Sequence, residues 1–172
     1  MPKEKTVRRA RQAKREGKAP STQAGEFVRE TIEDIRHGKH GARSTKQAIA
    51  IGLSKARRAG VKLPPPAKGK TSEKTRRHAQ RDYAQGQHQP KAKVNPKRSR
   101  AVTQALKREG HSAASAGALA AQARQQARKR SAAERSAIGR KAARTRLQHQ
   151  TAAQRSAIAR KAARTPAANQ SK

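Results

Sequence analysis

Apolar side chains recur at helical spacing in the stretch GEFVRETIEDIRHG, which begins at Gly25. A period of 3.6 residues places them on one face of a helix. Gly38 follows the last of them and is typical of a helix C-terminus. The pattern predicts a helix over about 26–37. Its expected core residues are Phe27, Val28, Ile32 and Ile35.

A second helical pattern follows a short loop. Ser44 and Gln47 have the spacing of a capping box, which marks a helix start. Gly60 followed by Val61 fits a Schellman ending, and the run of three prolines that comes next forbids continuation. We therefore predict a helix over about 45–59 that pairs antiparallel with the first. The core residues that it adds are Ile49 and Leu53.

The last third of the chain contains a repeat with a period of 20 residues. SAAERSAIGRKAART at 131–145 recurs as TAAQRSAIARKAART at 151–165, and residues 112–124 resemble a decayed third copy. Both clear copies open with a capping box, so each predicts a basic helix, the second ending at Pro166. Each has a single isoleucine, which is too little apolar surface to stack repeats into a solenoid.

The remaining segments show no apolar periodicity. Five of the eight prolines fall between residues 64 and 111. The chain is accordingly divided into four parts by composition. These are a basic disordered arm (1–24), a helical hairpin module (25–63), a linker rich in Pro, Lys and Gln (64–111), and helical repeats rich in Ala and Arg (112–172).

Composition limits the size of any core. Ile, Leu, Val and Phe together number 17 among 172 residues, and a content below about a fifth with high net charge is typical of disorder. We therefore expect a mostly disordered, all-α chain with one short helical hairpin and isolated basic helices in the repeats. A hairpin of about 40 residues rarely folds alone, so self-association through it is also expected.

Charge is the strongest functional signal. The formal net charge is +34, which suits phosphate binding with release of counterions. The chain has one Phe, one Tyr and no Trp, whereas single-strand binders stack bases on several aromatic rings. Duplex DNA is therefore favoured over single strands. The expected nucleic-acid contacts are Arg57, Arg58, Arg135, Arg140, Lys141, Arg144, Arg155, Arg160, Lys161 and Arg164.

Catalytic chemistry finds no support in the sequence. Cysteine is absent, so thiolate nucleophiles and thiolate metal sites are excluded. His37 and His40 are a possible ligand pair without a third ligand at suitable spacing, and the acids near them are read as ion-pair partners of Lys and Arg. We expect no catalytic residues, no metal, no cofactor and no small-molecule substrate. No apolar stretch approaches the roughly 20 residues of a membrane span.

Two resemblances accompany these patterns. Residues 25–60, above all KQAIAIGLSKARRAG at 46–60, resemble a family of uncharacterised small bacterial and phage proteins whose helix reads approximately KQAIAIALSEAR. Gly52 and Lys55 stand where that family tends to have Ala and Glu. The tail resembles the Ala/Lys/Arg-rich tails of bacterial histone H1-like proteins. The resemblance implies a bacterial source and carries no established activity.

The sequence therefore predicts a non-enzymatic DNA-binding protein of the bacterial cytoplasm, associated with the nucleoid and tolerant of sequence. Its repeats are expected to pass from coil to helix on binding, because 15-residue segments are marginal helices in water. Two alternatives stay open. One is an RNA- or ribosome-associated protein, and the other is a protein-interaction module with basic tails.

Overall fold

The computed structural model describes residues 2–87 and 95–169, with the side chains of residue 149 and of residues 164–169 left out. In this part of the chain it contains α-helices and one 3₁₀ turn, and no strand. The prediction of a mostly disordered chain is wrong, whereas the all-α class is confirmed. The helices are α1 (Glu4–Arg15), α2 (Pro20–Arg36), α3 (Thr45–Arg58), α4 (Glu73–Gln87), α5 (Pro96–Lys107), α6 (Ala116–Arg128), α7 (Ala132–His149) and α8 (Ala152–Asn169), and the 3₁₀ turn is Ser112–Ala114.

The chain divides into two compact units. Unit 1 comprises Met1–Ala123 and unit 2 comprises Arg124–Lys172. Residues 88–94, which fall in the predicted linker, lie outside the described residues.

The predicted pair of helices is α2 and α3, packed antiparallel at the centre of unit 1. α2 starts at Pro20, earlier than expected, and α3 begins after Ser44, whose Oγ accepts a hydrogen bond from the Gln47 N–H at 3.2 Å. The backbones approach closely at Gly52, where a Cβ atom would lie 2.6 Å from the Cα of Val28. The glycine that the sequence has at this point is what allows the two helices to touch.

The C-terminus of α3 closes as the sequence predicts. Gly60 has a φ of +88°, a conformation that glycine adopts without steric cost. The N–H of Val61 donates to the carbonyl of Ala56 at 3.1 Å, and the N–H of Gly60 donates to that of Arg57 at 3.0 Å. These are the two bonds of a Schellman motif, and buried Val61 supplies its apolar contact.

The N-terminal arm is a packed helix rather than a disordered segment. α1 lies against α2 and buries Thr6, Ala10 and Ala13. Ahead of α1, the backbone N–H of Lys3 donates to Glu30 Oε2 at 3.1 Å. Its ammonium lies 3.0 Å from Asp34 Oδ1. The acids of α2 therefore hold a basic segment that no apolar side chain could hold alone.

The predicted linker also contributes to unit 1. α4 packs on α3 through buried Ala79 and through Asp82, whose Oδ2 accepts a hydrogen bond from Ser54 Oγ at 2.6 Å. The composition did not predict this helix, because its residues are mostly polar and only a small face of it packs against α3.

The stretch that resembles a third repeat copy begins inside unit 1. Ala113 and Ala114 are buried, and their carbonyl oxygens accept hydrogen bonds at 2.8 Å from Thr45 Oγ1 and Arg36 Nε respectively. The first two alanines of this copy are therefore core residues, and α6 starts only after Ser115.

Alanine explains why the composition misleads. Nine of the thirteen buried hydrophobic residues in the described part of the chain are alanines. Helices that meet through Ala and Gly approach closely and fill their interface with few large side chains. Those large ones are Phe27, Ile32, Ile35 and Val61. α1, α4 and the 3₁₀ turn supply the burial that the hairpin lacks by itself.

Unit 2 holds the two clear repeats as helices α7 and α8. The capping box of the first is complete, with Ser131 and Glu134 each accepting a hydrogen bond from the other's backbone N–H. Thr151 and Gln154 repeat the pair of bonds at 3.2 and 3.0 Å. Both segments are helical in the structure, so the predicted change from coil to helix on binding is not supported. α8 also runs past Pro166 to Asn169, since a proline removes one helix hydrogen bond without always ending the helix.

Candidate nucleic-acid interface

The basic triplets of the repeats lie on the surface of unit 2. Arg140, Lys141 and Arg144 of α7 are exposed. Positions 140, 141 and 144 are spaced so that one side of the helix presents all three. Arg140 is steadied by a hydrogen bond of 2.8 Å from its Nη1 to Ser136 Oγ. The triplet thus offers three cations to one partner surface.

The triplet of α8 occupies the equivalent positions one period later. Arg160 and Lys161 are exposed. Arg164 belongs to the same helix, but its side chain lies outside the described residues. Since the two copies share the sequence RKAAR, their triplets have the same spacing along their helices.

Arg135 and Arg155 have a different role from the triplets. Arg155 Nη1 donates to the carbonyl oxygens of Gln150 at 3.0 Å and Leu147 at 3.3 Å, which lie at the C-terminal end of α7. Arg135 Nη1 reaches the carbonyl of Arg130, also five residues earlier, at 3.4 Å. Both arginines thus bind helix-end carbonyls, where a cation is favourable. Their primary contact in the structure is the junction before each repeat.

Arg57 and Arg58, expected to contact nucleic acid, are engaged within unit 1. Arg57 is 7% exposed, and it donates from Nε to the carbonyl of Leu63 at 3.2 Å and from Nη2 to that of Pro64 at 3.4 Å. Burial lowers its pKa from the usual arginine value. Arg58 lies 3.5 Å from Asp82 Oδ1 with a half-exposed side chain. The structure therefore corrects the assignment of Arg57, because its guanidinium faces the loop after α3 instead of solvent.

The core residues predicted for the hairpin divide by depth. Phe27, Ile32 and Ile35 are buried. Val28 and Leu53 are partly buried. Val28 packs against the apolar cluster that contains Ile35, and Leu53 packs against the one that contains Phe27. The remaining one, Ile49, is partly buried.

Acidic residues are distributed unequally between the units. Unit 2 has 14 Lys and Arg residues and one acid, a formal charge of +13, whereas unit 1 has 30 basic and 9 acidic residues, +21. The lone acid of unit 2 is Glu134, whose carboxylate accepts the N–H of Ser131 in the capping box. Positive charge in unit 2 is therefore almost uncompensated over 49 residues.

Two of the four acids of α2 are interior groups rather than the surface partners that the sequence suggests. Glu30 and Asp34 are buried, and Lys55 of α3 lies 3.8 and 3.9 Å from their respective carboxylates. Burial by itself would raise the pKa of Asp34. Hydrogen bonds from Lys39 and Lys3, each at 3.0 Å, outweigh it and hold that pKa below its usual value. This cluster ties α1, α2 and α3 together.

A basic surface on α4 escaped the sequence analysis. Lys74, Arg77, His78 and Arg81 line a shallow, open cleft together with Glu73. The signal that could have found them is their spacing of three and four residues within a segment read as linker.

The described part of the chain shows neither a metal site nor a membrane-spanning helix. No group of three His, Asp or Glu residues there could hold a metal ion. Among the helices of the same residues, none is long and apolar enough to cross a membrane. The arrangement is suited to binding anions along exposed helices.

Comparison with known proteins places only part of the chain. No curated protein and no solved structure matches it. The end of α1, all of α2 and α3 and most of the loop after them fall within one family match, which covers about a third of the length. This agrees with the resemblance of residues 25–60 to an uncharacterised domain. Residues 11–70 match the model of a family of unknown function, DUF6496.

Proposed function

We propose that this chain is a non-enzymatic protein that binds duplex DNA with little regard to sequence, through neutralisation of phosphates by Lys and Arg. In this proposal it is a bacterial, nucleoid-associated protein, and its tail acts as histone H1-like tails do. The observation that carries the proposal is the surface of unit 2, where α7 exposes its cation triplet and α8 exposes Arg160 and Lys161.

The surroundings of the triplets favour backbone contacts over base reading. Alanine is the commonest residue at the other positions of both repeats, and its methyl group allows a helix to lie close to a surface. Specific readers of bases place several long polar side chains in a groove. A helix with three adjacent cations and small neighbours is better suited to phosphates, which position a protein without carrying sequence information.

Apolar exposure argues against a protein partner for the same helices. Ile138 and Ile158, the large apolar residues of the two copies, are about half exposed and stand alone. Interfaces between proteins concentrate their energy in clusters of buried large side chains. Single isoleucines among alanines do not form such a cluster.

The test is binding of a fluorescently labelled duplex to the full chain at several salt concentrations. If both triplets engage phosphates, six contacts give a slope of log K against log salt near −5, from about −0.9 per contact. Replacing one triplet by Gln is expected to reduce the slope by up to about three contacts' worth, and replacing the other should have the same effect.

A charge-preserving control separates phosphate binding from loss of the helices. Changing the four arginines of the two triplets to Lys, with Lys141 and Lys161 unchanged, keeps the charge and should keep most of the affinity. Ile138→Ala should leave binding unchanged. A slope near zero, or a strong preference for one sequence at fixed salt, contradicts the proposal. Structured RNA competing better than duplex DNA would favour the RNA-associated alternative, and loss of binding only on Ile138→Ala would favour the interaction module.

A further inference from the structure

We propose that the outward face of α4 is a second duplex-binding surface, so that one chain joins two DNA duplexes. This inference rests on the proposed function, since it assigns the same ligand to a separate part of the molecule. Its residues are Lys74, Arg77 and Arg81 in unit 1, whereas the triplets of the repeats belong to unit 2.

The orientation of α4 is determined by its contacts with α3. Asp82 receives the hydroxyl of Ser54 at 2.6 Å and the guanidinium of Arg58 at 3.5 Å. Ala79 is buried, and Gly86 approaches the carbonyl of Arg57 so closely that a Cβ there would overlap it. One side of α4 is therefore held against α3 along most of its length.

The basic residues lie on the opposite side. At 100° per residue, positions 74, 77 and 81 fall within about 60° of one another, and they point away from the side that holds Ala79 and Gly86. All three are exposed. Seven residues of helix rise about 10 Å, a length over which one strand of duplex DNA presents about three phosphate charges. The three cations of the stripe thus match the charge density of one strand.

Glu73 does not cancel this stripe. Its carboxylate is taken up by Arg76, which donates to it from Nε and Nη2 at 3.0 and 2.7 Å. These hydrogen bonds lower the pKa of Glu73. Arg77 lies farther from the same carboxylate, at 3.6 Å, and its side chain is 71% exposed. A phosphate can therefore approach Arg77 while Arg76 remains paired.

A stripe on a docked helix binds with a smaller entropic loss than one on a helix free to move, because its position is already set. The two surfaces also lie in different compact units of the chain. Each can engage a separate duplex, and charge complementarity identifies duplex DNA as the occupant of both.

The experiment is capture of a labelled duplex by an immobilised duplex through the full-length protein. The variant K74Q/R77Q/R81Q should capture at least five-fold less than the unchanged protein, yet still bind a single duplex in solution through unit 2. The matched control is K62Q/K68Q/K70Q, which removes the same charge from exposed positions between α3 and α4. It should capture as much as the unchanged protein.

Three results would overturn the inference. The first is no capture by the unchanged protein when it binds single duplexes. The second is undiminished capture by both the stripe variant and its control, the result expected if bridging occurs through self-association. The third is an equal loss in both variants, which means that only total charge matters. If the unchanged protein fails to bind a single duplex, the proposed function itself fails. Unchanged thermal melting of both variants verifies that the fold persists.

Discussion

α1 and α8 are both basic helices, and their surroundings differ. Each has several Lys and Arg residues and one large apolar residue, Val7 in α1 and Ile158 in α8. Ala10 and Ala13 of α1 are buried, whereas the described side chains of α8 are exposed. Local sequence therefore does not decide which basic helix packs.

The acids of α2 account for the difference. Glu26, Glu30 and Asp34 meet Arg9 and Lys3, which belong to α1 or directly precede it. Unit 2 has a single acid, and it is used in the capping box of α7. A basic helix docks where a neighbour offers both small side chains and carboxylates. Without that complement it stays exposed.

The largest expected contrast concerns large apolar residues. Phe27→Ala empties a fully buried site in unit 1 and should lower its free energy of unfolding by about 3–5 kcal/mol. Ile138→Ala in unit 2 should change stability by less than about 0.5 kcal/mol, because its side chain is half exposed. The chain has one Tyr and no Trp, so Tyr83 fluorescence reports unfolding of unit 1 alone. Equal effects of both changes would contradict the comparison.

Substitutions at two helix glycines test the same contrast between unit 1 and unit 2. Gly52→Ala forces a Cβ against the backbone of Val28 and should destabilise unit 1 by about 2–3 kcal/mol. Gly139→Ala meets nothing within 4 Å and copies the alanine of the next repeat. It should therefore stabilise α7 by about 0.5–1 kcal/mol through helix propensity. Far-ultraviolet circular dichroism and Tyr83 fluorescence during urea unfolding measure the two changes, and the same sign for both would be inconsistent with open space around α7.

Arginines provide the next contrast. Arg57→Gln leaves the carbonyls of Leu63 and Pro64 without their donor and should cost unit 1 about 1–3 kcal/mol. It should leave the salt slope of DNA binding unchanged. Arg140→Gln should do the reverse, with stability retained and a slope reduced by about one contact's worth. A reduced slope for Arg57→Gln would show that this side chain reaches DNA after all.

The buried acid cluster makes unit 1 sensitive to acid. The pKa of Asp34 is lowered in the folded state, so its contribution to stability is present above the usual value of about 4 and is lost as pH falls through the lowered one. Asp34→Asn should cost about 1–2 kcal/mol at pH 7 and flatten the loss of stability below pH 4. Tyr83 fluorescence during unfolding between pH 2 and 7 measures this. An unchanged acid profile would exclude the pairing with Lys3 and Lys39.

A small loss of stability is expected from changes at the caps of unit 2. Ser131→Ala removes the acceptor for the Glu134 N–H and should cost α7 about 1 kcal/mol. Thr151→Ala should weaken α8 similarly, since it makes the same contact with Gln154. Helicity by circular dichroism should fall slightly in each variant while Tyr83 fluorescence does not change. A change in the Tyr83 signal would mean that the caps also support unit 1.

The ends of α3 were the most predictable part of the fold, whereas the start of α2 and the end of α8 were not. Ser44 caps the start of α3 and Gly60 follows its end, as their sequence context indicates. A cap is predictable because it is a local interaction among residues close together in the chain. The capping boxes of the repeats were predictable for the same reason. Of the expected contacts with DNA, the triplet residues whose side chains the structure describes are exposed on α7 and α8, where the repeat pattern puts them. Arg57 does not, because its burial depends on how the loop after α3 folds back.

Contacts between distant segments were not predictable. Gly41 donates its N–H to the carbonyl of Leu106 at 2.8 Å, and Ala42 donates to that of Gly110 at 3.0 Å. The paired residues lie far apart in the chain, and their residue types do not indicate that they meet. Ala113 and Ala114 resemble the exposed alanines of the repeats in every local respect, yet they are core residues.

Residue patterns and counts were sufficient to predict the helical class, the ends of α3, the capping boxes of the repeats and the excess of positive charge, since each depends on local spacing or on composition. Contacts between helices were needed to show which alanines are buried, which arginines are enclosed and which basic helices remain exposed. Alanine and arginine suit both an interface and a surface. The choice between them is made by a neighbouring face with small side chains and carboxylates, and only folding brings that face into place.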